Sequence, residues 1–133
     1  MESTEVRPFT LVIERDPSVR SALYSAAEDR IHFRFEDRLT EIIADRKWME
    51  TIPPVRVAFI EIPDTKEGTL GLLARFREAN PGLPVILNAC YGREIQLAAE
   101  RLEALSEEII YRPFDVGAVV TTMRGFCSGI GVA

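Results

Sequence analysis

Apolar and polar residues come in blocks along this chain, and the blocks change period in a regular order. Phe9-Thr-Leu-Val-Ile13 is a short apolar run closed by Glu14-Arg15-Asp16-Pro17. Val55-Arg-Val-Ala-Phe-Ile-Glu61 is a longer one, preceded by Pro53 and Pro54 and followed, beyond Pro63, by the polar turn Asp64-Thr65-Lys66-Glu67-Gly68. Pro84-Val-Ile-Leu-Asn88 and Glu108-Ile-Ile-Tyr111 are two more, and 31–35 alternates with Ile31, Phe33 and Phe35 on one side. Runs of this length, rich in β-branched and aromatic residues and bounded by turns, read as strands, and the unbroken ones as strands buried on both faces. Between them the spacing turns helical: Val19, Leu23 and Ala26 over 17–27; Leu39, Ile42 and Ile43 in a second helix that stops before Pro53; Leu70, Leu73 and Phe76 over 68–80; Ile95, Ala98, Leu102 and Leu105 over 93–105; and a last helix over 116–126. Asp16 is a suitable N-cap with Pro17 at the first helical position, Asp115 caps the last helix, and Asn80-Pro81-Gly82 is a stop.

Strand followed by helix, five times over, defines an α/β chain with a parallel sheet and helices on both faces. No linker, repeat or low-complexity segment interrupts it, so 1–133 reads as one domain with its core over about 8–126. The stretch from Gly125 onward is too apolar and glycine-rich to finish a helix on its own, and 127–133 reads as a tail or the start of a linker.

Composition narrows the function classes. The chain has 133 residues, 47% apolar and 28% charged, as in an ordinary globular domain with one core. A net charge of −5 argues against a nucleic-acid binder. No apolar run approaches the roughly 18 residues of a membrane span, and the acidic start Met1-Glu-Ser-Thr-Glu is not a signal peptide. Cys90 and Cys127 stand alone, without metal-like spacing, and read as reduced core cysteines of a cytoplasmic protein. Gly68, Gly71 and Gly82 lack phosphate-loop spacing. His32, the single histidine, lies on the second strand opposite Phe33 with no nucleophile in a recognisable arrangement, so it reads as structural. Nothing here makes a case for an enzyme or a nucleotide cofactor.

Three segments carry a resemblance. Val12-Ile-Glu-Arg-Asp-Pro-Ser-Val-Arg20 resembles the first loop of response-regulator receiver domains, a hydrophobic pair followed by acids, proline and a helix. Leu83-Pro-Val-Ile-Leu-Asn-Ala-Cys-Tyr-Gly92 is similar to their fourth strand and loop, and Ile110-Tyr-Arg-Pro-Phe-Asp115 to their Lys-Pro-Phe signature. The resemblance implies a (βα)5 flavodoxin-like, doubly wound sheet with strand order 2-1-3-4-5, and a bacterial-type cytoplasmic signalling role.

Receivers accept a phosphoryl group on an aspartate at the end of strand three. Two acids after strand one help to hold Mg²⁺, and a Ser/Thr and a Lys grip the phosphoryl oxygens. Carried onto this chain, the acceptor position is Glu61, the acidic pair is Glu14 and Arg15, the Ser/Thr position is Ala89, the switch aromatic is Ile109 and the Lys is Arg112. Pro63 also follows Glu61 by two residues, where the family spaces them by four. Two carboxylates thus face two guanidinium groups, and the negative excess that draws a hard cation is gone. At an effective dielectric of about 20, one charge pair at ~4 Å amounts to about 4 kcal/mol, so reversing its sign at one ligand position is expected to remove most useful Mg²⁺ affinity.

The resemblance therefore implies a degenerate receiver, acting through a protein partner or its own output domain without an Asp phosphorylation cycle and without a cofactor. Glu61 is then either a permanent phosphomimic or a plain salt-bridged carboxylate. The competing expectation is a divergent but working receiver, with Glu14 and Asp16 as weak metal ligands and Glu61 or Asp64 as acceptor. Asp64, beyond Pro63, reads more simply as a turn residue and Asp16 as a cap. A small-ligand module of the same fold is a third expectation. The family's partner and homodimer face, built from the fourth helix, fifth strand and fifth helix, would here draw on Arg93, Gln96, Arg101, Glu103, Glu107, Tyr111, Thr122 and Arg124.

Overall fold

The computed structural model describes residues 9–28, 30–36 and 55–129. Strands β1 (Phe9–Ile13), β2 (His32–Glu36), β3 (Val55–Ile62), β4 (Val85–Cys90) and β5 (Glu108–Arg112) form one sheet in the order β2-β1-β3-β4-β5, with every neighbouring pair parallel. Among the described residues the helices are α1 (Pro17–Ala27), α2 (Glu67–Ala79), α3 (Arg93–Leu97), α4 (Ala99–Ala104) and α5 (Val116–Gly129). This is the flavodoxin-like α/β architecture, and the strand order, that the sequence implies. The helix expected around Leu39, Ile42 and Ile43, and the tail over 130–133, lie outside the described residues.

Local signals set the helix starts. Asp16 is extended, and its carboxylate accepts the Ser18 backbone N–H at 2.9 Å, with Pro17 in the first turn. Asp115 receives the Gly117 N–H in the same way, at 2.9 Å. The turn from α2 into β4 needs a left-handed residue and has one in Gly82, at φ 86°.

The pleat then sorts the strands into two cores. Leu11, Ile13, Ala58, Ile60, Leu87 and Ala89 face one way, against Leu70, Leu73 and Phe76 of α2 with Ile95 and Leu102 of α3 and α4. Val12, Val57, Phe59 and Ile86 face the other way, against Leu23 and Ala27 of α1 with Val119, Val120 and Met123 of α5. Apolar residues on both sides of β1, β3 and β4 are what a parallel sheet covered on both faces requires.

Several details depart from the sequence reading. The helix expected over 93–105 is two pieces: at Ala98 the backbone leaves helical values (φ −96°, ψ 3°), and its N–H is shared between the carbonyls of Glu94 and Ile95. Ala98 and Ala99 are strong helix formers, so nothing local marks this break. It leaves Ile95 and Leu102 buried and Leu97 78% exposed. α5 does not stop at Phe126 but runs to Gly129, because Phe126 and Cys127 pack on the α1/α5 core and Thr10 Oγ1 lies 3.7 Å from Cys127 Sγ. Burial raises the pKa of the Cys127 thiol. Cys90, expected in the core, is exposed at the end of β4; both cysteines are free thiols. No helix among the described residues is long and apolar enough to cross a membrane.

Phe59 has no exposed surface and meets Phe114 edge-on, with ring centroids 6.1 Å apart. Phe59→Ala is expected to cost about 3–5 kcal/mol in denaturant unfolding. Leu97→Ala, on the open side of α3, is expected to stay within about 0.5 kcal/mol.

Candidate functional site: a charge cluster at the carboxyl edge of the sheet

Side chains on a strand return to the same face every second residue. Val12, Phe59, Ile86 and Ile110 all face the α1/α5 core. Two positions further along, the same face presents Glu14, Glu61, Asn88 and Arg112. The parallel register aligns them: Glu61 lies opposite Asn88, Asn88 opposite Ile110, and Arg112 opposite Cys90. The core of that face therefore ends in one polar layer, at the edge where open α/β sheets carry their sites.

Glu14 and Asn88 are both 0% exposed. Glu14 Oε1 accepts from the Arg112 Nη2 and from Asn88 Nδ2 at 2.9 Å, and Oε2 accepts the Asp16 backbone N–H at 3.1 Å. Arg112 Nε donates to Asn88 Oδ1 at 3.0 Å, which closes a triangle of Glu14, Asn88 and Arg112. Arg20 Nε donates to the Glu14 carbonyl, and its guanidinium lies 5.7 Å from the Phe35 ring centroid. Burial alone would lower the pKa of Arg112; its bond to Glu14 and the charges of Glu14 and Glu61 outweigh that and raise it. Glu61 is held more loosely, with Oε1 3.4 Å from Arg15 Nε and Oε2 3.6 Å from Arg112 Nη2. Arg15 is 57% exposed and Glu61 15%.

The cluster thus joins Glu14, Arg15, Glu61 and Arg112, all four marked by the sequence. Ala89 and Ile109 lie apart from it, on the opposite face of the sheet, packed into the α2/α3/α4 core. The residue that β4 contributes is Asn88, to which the sequence reading gave no part. A polar residue inside the apolar run Val85 to Ala89, two positions after Ile86, was the available signal. Asp16 and Asp64 are engaged locally. Asp16 Oδ1 also accepts the Ser18 hydroxyl at 2.7 Å, which with the Ser18 N–H lowers its pKa. Asp64 Oδ1 accepts from Thr69 Oγ1 at 2.7 Å and from the Lys66 N–H at 2.9 Å, and these bonds lower its pKa. His32 is remote from the cluster and stacks on Phe9, with centroids 5.3 Å apart.

Beside the cluster opens a cleft of about 490 Å³, lined among others by Arg15, Glu61, Asp64, Asn88, Arg93 and Arg112. Among the described residues no group of three or more His, Cys, Asp or Glu side chains is arranged to hold a metal ion.

No family model and no curated protein matches the sequence. The fold is that of the receiver domains of response regulators. A response regulator receiver domain protein from Methanospirillum hungatei JF-1 is 13% identical, with a TM-score of 0.74 over 96% of this chain and 98% of its own. A response regulator from Thermotoga maritima is 18% identical, with a TM-score of 0.72 over 92% of this chain and 99% of its own. NtrX from Brucella abortus, crystallised with ADP, is 18% identical with a TM-score of 0.71; the match covers 96% of this chain but 28% of that longer one.

Arg112→Ala leaves Glu14 buried beside an empty place. Breaking a buried pair from one side costs about 3–5 kcal/mol, which chemical denaturation is expected to show. Asp64 tests the local hydrogen bonds. Because its folded-state pKa is depressed, it contributes stability above the unfolded value of about 3.9, and that contribution is lost as pH falls through the folded value. Thr69→Val is expected to raise the Asp64 pKa in a carboxyl NMR titration and to reduce stability at neutral pH, with the difference from wild type vanishing in acid.

Proposed function

We propose that this chain is a pseudo-receiver: a signalling domain of two-component type that acts through protein contact, without a phosphorylation cycle. The observation that carries the reading is the pairing of both site carboxylates with guanidinium groups, Glu14 with Arg112, and Glu61 with Arg15 and Arg112. In this reading Glu61 stands where a receiver has its acceptor aspartate, and Glu14 and Arg15 where it has its acidic pair.

The donor set does not fit Mg²⁺. A hard cation is drawn by an excess of carboxylate charge, whereas the charge of Glu14 is already offset by Arg112, with Asn88 and the Asp16 N–H also bonded to its oxygens. Asp16, the other candidate ligand, spends Oδ1 on Ser18. Arg15, at the second acid's position, reaches across to Glu61 and adds positive charge where the ion would sit. Ala89 offers no hydroxyl and Ile109 no aromatic ring, and neither faces the site. Without a metal to offset developing charge, phosphoryl transfer to Glu61 or Asp64 lacks its main electrostatic support.

Output in this reading lies on the surface of α3, α4, β5 and α5. There Tyr91 is exposed and meets Tyr111 edge-on at 5.2 Å, while Gln96 donates to the Tyr91 hydroxyl. Exposed aromatic and aliphatic side chains beside charged ones suit a protein partner, an output domain or a second copy of the chain.

The test is incubation of the protein with a small phosphodonor and Mg²⁺, followed by intact-mass measurement. The expected outcome is an unchanged mass. A stoichiometric gain of one phosphoryl group, mapped to Glu61 or Asp64, would establish a working receiver instead.

A further inference from the structure

We infer that Asn88 is the positioning residue of the charge cluster: its carboxamide seats the Arg112 guanidinium on Glu14 and fixes the orientation in which the two are held. What this closure prevents rests on the pseudo-receiver reading; the closure itself rests on geometry.

Arg112 has two carboxylates within reach. It is hydrogen-bonded to Glu14, while Glu61 Oε2 is 3.6 Å away. Both partners are carboxylates, and the buried one is the costlier to leave unpaired, so desolvation favours the Arg112–Glu14 pair. It does not orient the guanidinium, and Asn88 does. Its Oδ1 accepts from Arg112 Nε at 3.0 Å while its Nδ2 donates to Glu14 Oε1 at 2.9 Å. One side chain thereby bonds the anion and the cation together and holds them in register. The task needs an acceptor and a donor on two separate atoms of one short stem, which a carboxamide supplies and an ionised carboxylate, a single hydroxyl or an aliphatic chain does not. Asn88 is completely buried between Glu61 on β3 and Ile110 on β5, so its amide has no water to turn to and its orientation is set by these two bonds. Glu61 is left with the longer contacts to Arg15 and Arg112, on the side that opens to the cleft.

Hydrogen exchange of side-chain N–H groups tests the assignment in the unmodified chain. Arg112 Nε–H and the Asn88 amide are expected to exchange slowly and Arg15 Nε–H fast. Asn88→Leu is expected to bring Arg112 Nε–H to the rate of Arg15. Asn88→Asp adds a readout that simple loss of packing does not give: its carboxyl still accepts from Arg112 Nε–H, so Arg112 exchange is expected to stay slower than in Asn88→Leu.

Fast exchange of Arg112 Nε–H in the wild-type protein, or slow exchange that Asn88→Leu leaves unchanged, overturns the inference. A phosphoryl adduct on the wild-type chain together with slow Arg112 exchange would remove the pseudo-receiver reading and leave this one standing.

Discussion

At the end of the α1/α5 core, a carboxylate with no access to water is held by an arginine, a carboxamide and one backbone N–H. Taking a carboxylate out of water costs several kcal/mol, and only well-aligned partners offset it. Glu14 has them from three separate parts of the chain: Asn88 at the end of β4, Arg112 at the end of β5, and Asp16 at the cap of α1. The strand ends and the first helix start must therefore sit in one relative position for the charge to be tolerated, and the ion pair ties the local folds of those segments together.

The placement follows from the period of a strand. Val12, Phe59, Ile86 and Ile110 form the last apolar layer on their face, and the polar residues come two positions later. Because the strands are parallel and in register, residues far apart in sequence arrive side by side without any long loop. The same sheet edge, bearing an excess of carboxylates, would attract a divalent cation. Bearing equal numbers of carboxylates and guanidinium groups, it satisfies itself. Arg15, a cation where the resemblance implies an acid, makes that difference, and the receiver fold is compatible with the proposed loss of phosphoryl chemistry.

Most of the fold was legible because the periods of the sequence are clean. Asp16-Pro17 gave the start of α1, and Leu70, Leu73 and Phe76 gave the buried stripe of α2. The break at Ala98 was not legible, since alanine favours an unbroken helix and the tertiary setting decided otherwise. Nor was the extension of α5 through Cys127, which depends on contacts with the opposite end of the chain at Thr10. At the site, Glu14, Arg15, Glu61 and Arg112 stood out as charges at strand ends. Asn88 did not, because an uncharged residue in an apolar run looks like a strand ending, and only the parity of β4 shows that it points into the cluster while Ala89 points away. Glu61 also proved less terminal than its sequence suggested, for β3 continues through the buried Ile62.

The central claim is that the sheet edge is closed by its own charges and leaves no seat for a metal-borne phosphoryl group. A structure determined in the presence of Mg²⁺ and beryllofluoride tests it most directly. The expected result is Arg112 still on Glu14 and Asn88, Arg15 still over Glu61, and no ion between them. An ion coordinated by Glu14, with beryllofluoride on Glu61 and both arginines displaced, would contradict it.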